Sequence, residues 1–169
     1  QVITVNITNV NDNTPSITSE ATFTAAENQT AIGTVTATDA DGNSLTYSIT
    51  GTELEISSTG VLTFKNAPDF ETKSSYTETV TVSDGTTSVT QVITVNITNV
   101  NETPTFTSTG VTSAKVGFEY TYTAVASDDD DGDTVTVIAP TKPSWLSFDG
   151  TTLSGTPGID NVGNHNVVL

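Results

Sequence analysis

The sequence predicts an all-β protein made of tandem β-sandwiches, and three observations carry that prediction. Apolar residues recur with period two, the strand period, and no 3.6-residue pattern persists for ten positions. Threonine, a β-branched residue suited to strands, fills 37 of the 169 positions. The eleven residues QVITVNITNVN that open the chain return unchanged ninety positions later, from Gln91 to Asn101. That offset is the length of one small domain.

The elements follow in order. Residues 1–10 alternate as a strand, and the proline of Asn11-Asp12-Asn13-Thr14-Pro15 ends them, because proline cannot extend a ladder. The second copy runs into Asn101-Glu102-Thr103-Pro104. These prolines divide the chain into 1–11, the last strand of a preceding unit or a donor strand; 12–103, a complete sandwich; and 104–169, a sandwich lacking its final strand. In the middle unit strands are expected around Val35 and Ala37, Leu45 to Ile49, Leu54 and Ile56, Tyr76 to Val82, and Ile93 to Ile97. Turns at Asp41-Gly42-Asn43, Thr59-Gly60, Ala67-Pro68-Asp69 and Asp84-Gly85 separate them, the spacing of a two-sheet sandwich. Glu78 has inward parity, so either a bulge shifts the register there or it lies at a sheet margin. In the third unit strands are expected at Phe118 to Tyr122 and at Val135 and Val137, with Trp145, Leu146 and Phe148 directed to the core.

Composition excludes several functions. Twenty acidic residues face four lysines (Lys65, Lys73, Lys115, Lys142), and a net charge of −16 rules out nucleic acid and anionic membrane surfaces as direct partners. No run of apolar residues is long enough to insert in a membrane as a helix. Without cysteine there are no disulfides, no thiolate zinc sites and no thiol catalysis. A chain that begins without methionine reads as a mature product or an interior piece. His165 has no nucleophile signature around it, and the paired carboxylates are better explained as ion ligands than as a glycosidase pair, so no enzyme is expected. Absent arginine and cysteine point to a bacterial surface array, although Asn6, Asn28, Asn96 and Asn101 are sequons.

The acids gather at strand ends and turns rather than on faces. Glu27, Asp69, Glu71, Asn101 and Glu102 fall at one end of the middle unit, while Asp39, Asp41 and Asp84 fall at the other with Asp12 and Asn13 of the first linker. Several hard oxygen ligands in flexible loops suit Ca²⁺, and bound calcium would relieve their mutual repulsion.

The middle unit resembles a cadherin repeat. Glu27-Asn28 matches the family's glutamate motif, Ala37-x-Asp39-x-Asp41-Gly42-Asn43 its AxDxDxGxN segment, Asp69-Phe70-Glu71 its DRE position, Tyr76 to Asp84 its YxLxVxAxD strand, and Asn9 to Pro15 its DxNDNxP linker. The resemblance implies Ca²⁺ at the junctions, with Glu27, Asp69, Glu71, Asn101 and Glu102 as ligands downstream. Asn9 and Asn99 replace the linker's first aspartate, and the second linker is one residue shorter, so one or two ions are expected there. The third unit resembles the dystroglycan-type cadherin-like domain of bacterial surface proteins, through Asp129-x-Asp131-Gly132-Asp133, Pro143 to Asp149 and Leu153-Ser154-Gly155-Thr156-Pro157. Asp129, Asp131 and Asp133 are candidate ligands there. An EF-hand starting at the same run fails, because its twelfth position is Ile138.

Together these readings describe a structural or adhesive segment of an extracellular, calcium-rigidified tandem-repeat adhesin or fibre at a bacterial cell surface. Its partners would be neighbouring domains of the same chain or identical subunits, and a surface glycan or protein as target. Chelation is expected to lower the melting temperature and bend the chain. Residues 1–10 and the third unit's open slot also suit head-to-tail strand complementation between subunits. The other reading is a glycan-binding module, which would need an exposed aromatic cluster; Trp145, Phe148, Tyr120 and Tyr122 instead hold positions expected to be buried.

Overall fold

The computed structural model describes residues 1–130 and 132–169, in two compact units, Gln1–Val100 and Asn101–Leu169. The first unit holds β1 (Ser16–Ile17), β2 (Thr22–Ala26), β3 (Ala31–Thr34), β4 (Ala37–Thr38), β5 (Thr46–Ile49), β6 (Leu54–Ile56), β7 (Val61–Phe64), β8 (Ser75–Ser83) and β9 (Ser88–Thr98). One sheet runs β2-β9-β8-β5 and the other β3-β7-β6, with β1 paired to β4. The hairpin of β8 and β9 forms because alternation is strongest there and Asp84-Gly85 turns the chain. β2 joins the far edge of β9 in parallel, so the unit's second and last strands lie side by side in one sheet.

Inward residues of both sheets meet in one core. Leu54, Leu62, Phe64, Val80, Val82, Ile93, Val95 and the connecting Val35 are at most 2% exposed, each contributing about 1.5–3 kcal/mol by leaving water. The ladder of β8 and β9 keeps register through Glu78, which lies opposite Ile93, so no bulge forms there. β5 ends at Ile49 opposite Val80, which leaves Glu78 just beyond its neighbour's end, at the margin. Its Oε1 accepts the backbone N–H groups of Glu53 and Leu54, both at 3.1 Å. The loop can approach because residue 51 is glycine: its φ is +94°, and a Cβ there would stand 2.5 Å from Glu78 Oε1.

The second unit holds β10 (Thr105–Phe106), β11 (Tyr120–Thr123), β12 (Ala126–Ser127), β13 (Ser147–Phe148), β14 (Thr152–Gly155) and a 3-10 turn, Ile159–Asn161. Its ladders reproduce two of those in the first unit: β10-β12 repeats β1-β4, and β11-β14-β13 repeats β3-β7-β6. No described residues repeat the four-stranded sheet. Val135 and Val137, expected in a strand, form none; their counterpart β5 is held by β8, and among the described residues nothing of that kind pairs with them. Phe118 is 60% exposed and precedes β11 rather than lying in it. Among the described residues of this unit the buried apolar side chains are Ala124, Leu146, Leu153 and Pro157. Trp145, Tyr120, Tyr122 and Phe148, expected in the core, are half-buried, and Trp145 meets Tyr120 and His165 edge to face at 6.0 Å.

Residues 1–10 belong to no strand. Val2, Ile3, Val5 and Ile7 are 75–94% exposed, although Ile93, Val95 and Ile97 of the identical sequence in β9 are buried.

Candidate metal centres

In the first unit the chain leaves β2 through Glu27 and turns at Asn28, whose φ of 60° lies in the left-handed region that asparagine tolerates. Glu27 is 3% exposed. Its Oε2 accepts the N–H of Phe70 at 2.7 Å and its Oε1 that of Val100 at 2.8 Å. Asp69, just after Pro68, accepts the Thr72 N–H at 3.0 Å and the Thr72 hydroxyl at 2.8 Å. Those two bonds, the hydroxyl's first, hold its carboxyl below the ordinary 3.8. Glu71 accepts from Asn99 Nδ2 at 2.8 Å. Oxygens of Glu27, Asp69 and Glu71 all lie within 4.8 Å of one another. The salt bridge seen among the described residues joins Lys73 to Glu53, outside this group. Three hard oxygen donors, one fixed by two backbone bonds, fit a calcium ion.

The other end of the unit is organised by Asp41. Its Oδ2 accepts the N–H groups of Asp12 at 3.0 Å and Asn13 at 2.8 Å, and its Oδ1 takes the Nδ2 of Asn13 at 2.9 Å. These bonds, led by the Asn13 backbone, lower its pKa against a smaller opposing effect of burial. Asp39 Oδ1 accepts the Asp41 N–H, while its buried Oδ2 has no hydrogen-bond partner. The structure thus brings Asp12, Asn13, Asp39 and Asp41 together. Asp84 instead serves its own turn, accepting the N–H groups of Thr86 and Thr87 at 2.7 and 2.6 Å. Asp149 does the same for Thr151 and Thr152 in a second Asp-Gly-Thr-Thr turn.

In the second unit the carboxylates within 4.8 Å of one another are Asp128, Asp130 and Asp133. Of the expected trio only Asp133 is a member: Asp129 is not among them and Asp131 lies outside the described residues. Asp130 is 9% exposed, and its Oδ2 accepts the Glu102 N–H at 2.7 Å. Its own N–H donates to Asp128 Oδ1, as that of Asp41 does to Asp39. Asp128 and Asp130, which stand in the acidic run but outside the expected ligand trio, are therefore the counterparts of Asp39 and Asp41. A signal was present: in both units these aspartates stand 24 and 26 residues after the linker proline. Asn101 and Glu102 lie in the second unit, where Asn101 Nδ2 donates to the Glu102 carbonyl at 2.6 Å.

A family model described as "Bacterial Ig domain" matches residues 11–98, and one described as "Putative Ig domain" matches 103–169. No curated protein sequence matches the chain. Among solved structures, two crystal forms of human protocadherin-24 EC1-2 are similar. They show 19% identity and a TM-score of 0.55, covering 92% of this chain and 82% of that one, and 21% identity and 0.59, covering 88% and 80%. Mouse cadherin-23 EC22-24 is 23% identical with a TM-score of 0.52, covering 94% of this chain and 59% of that one. At these identities the likeness is one of fold: Ig-like, cadherin-like β-sandwiches.

Proposed function

The chain belongs to the bacterial Ig domain family, and on that premise we propose that it is a structural segment of an extracellular tandem-repeat adhesin or fibre, stiffened by calcium. Domains of this class are structural modules of extracellular repeat proteins. No helix among the described residues is long and apolar enough to cross a membrane.

One observation carries the reading: the carboxylates that would grip calcium also grip the chain that enters or leaves each unit. Glu27, grouped with Asp69 and Glu71, holds the N–H of Val100, and Asp130, grouped with Asp128 and Asp133, holds that of Glu102. Calcium at these groups would offset like-charge repulsion and order those segments, with Asn101 and Glu102 offering further oxygens in the second unit, and Asp12 and Asn13 doing so beside Asp39 and Asp41 at the other end of the first. Boundaries near residues 12 and 104, and subunits joined by strand complementation, belong to the same proposal.

The test is thermal unfolding in millimolar calcium and in chelator. Each occupied site adds about 2.7 kcal/mol when free calcium is about 100 times its dissociation constant, so the melting temperature rises with calcium. Melting that ignores calcium would refute the reading.

A further inference from the structure

We propose that the Asn99 side-chain amide is a built-in competitor of the cation at the centre formed by Glu27, Asp69 and Glu71: it holds Glu71 in the ion-free chain and lets go when an ion enters. This rests on the calcium reading above and adds a control on that same site.

The chain itself supplies donors to all three carboxylates, and the donors are of two kinds. Phe70 and Val100 reach Glu27 through backbone N–H groups, and Thr72 reaches Asp69 through its N–H and its hydroxyl. These four bonds are set by the course of the backbone or by a turn of four residues, so they stay in place whether or not an ion is bound. Glu71 differs. Its Oε1 accepts from Asn99 Nδ2 at 2.8 Å, across 28 residues, and Asn99 is an exposed residue directly after β9. An asparagine amide turns about its own side-chain bonds, so of these five hydrogen bonds this one can be given up without moving backbone.

The amide meets Glu71 through nitrogen rather than oxygen, because two oxygens at that distance would repel. It therefore brings partial positive charge to an oxygen that a cation would use. Calcium takes a carboxylate through one oxygen or both, and full use of Glu71 requires the Asn99 bond to break. The other end of the unit repeats the device. Asn9, which holds the same place in the repeated eleven residues, donates Nδ2 to the Asp41 carbonyl at 3.1 Å and to Asp41 Oδ1 at 3.3 Å. In a chain of net charge −16 such amides relieve part of the repulsion between acids without an ion. The consequence is twofold: the segment after β9 keeps its course when calcium falls, and calcium binds less tightly than the carboxylates alone would allow.

The experiment pairs calcium titration calorimetry with urea unfolding in chelator, on the full chain, Asn99→Ala, Glu71→Gln and the double variant. Asn99 is exposed, so its loss leaves the core intact. Asn99→Ala is expected to move the two readouts in opposite directions. Its urea midpoint in chelator falls, because Glu71 loses a donor. Its calcium affinity, in the class of site that Glu71→Gln removes, rises about two- to tenfold, the worth of one hydrogen bond. A residue that only supported the fold would lower both. In the Glu71→Gln background Asn99→Ala is expected to leave the remaining calcium uptake unchanged, since the two residues act as a pair. Calcium affinity that is unchanged or weaker in Asn99→Ala overturns the proposal while the calcium reading stands; a weaker affinity would make Asn99 a ligand instead. A urea midpoint that does not fall, or a gain in affinity that persists beside Glu71→Gln, overturns it as well. No calcium uptake by the unsubstituted chain overturns both.

Discussion

The carboxylate of Glu27 accepts the backbone N–H of Val100 at 2.8 Å, across 73 residues, and so fixes the first unit's last strand to the end of β2. Its other oxygen holds Phe70 at 2.7 Å, which ties in the loop carrying Asp69 and Glu71. One buried acid thus assembles the candidate centre before any ion arrives.

Glu27→Ala leaves the part-buried N–H groups of Phe70 and Val100 without their acceptor and is expected to cost about 1–3 kcal/mol. Glu27→Gln keeps one acceptor oxygen and costs less. Urea unfolding of both variants in chelator checks the order, since calcium then plays no part.

Gly60 and Gly42 separate backbone conformation from space. Both have positive φ, +83° and +75°, but a Cβ at Gly60 would stand 2.2 Å from the Val35 carbonyl oxygen, whereas at Gly42 it would meet nothing within 4 Å. Gly42→Ala should cost about 1–2 kcal/mol from conformation alone. Gly60→Ala should cost more, because backbone must move. Equal costs in denaturant melts would contradict this packing.

The two Asp-Gly-Thr-Thr turns predict an acid limb. Backbone bonds, from Thr87 first at Asp84 and from Thr152 first at Asp149, hold both carboxyls below the ordinary 3.8. A group lowered on folding adds stability above its unfolded value and loses it as pH falls through the folded one. Stability should therefore decline as pH drops below 3.8. Asp84→Asn and Asp149→Asn should each be less stable at neutral pH and show a shallower decline, read from melting temperature against pH.

Alternation made the first unit legible. β8 and β9 bury every second residue against one core, so period two reports their faces directly. Glu78 needed the loop at Gly51 to explain it, and a contact of that kind between distant segments leaves no mark on local pattern. The second unit was less legible. Val135 and Val137 alternate as a strand should, but a strand also needs a neighbour, and no described residues supply one. Among its aspartates the Asp-x-Asp-Gly pattern favoured Asp129 and Asp131; Asp131 lies outside the described residues, and among those Asp128 and Asp130 are grouped with Asp133. Distance from the linker proline, which sets how far the first two strands reach, was the better guide.

Calorimetric titration of the intact chain with calcium tests the central claim most directly. The account predicts saturable uptake, with affinity of about 10⁻⁴–10⁻³ M as in other extracellular modules. Glu71→Gln should remove one class of site and Asp128→Asn another, each leaving the rest. Absence of any saturable heat up to millimolar calcium, or uptake that neither substitution alters, would contradict it.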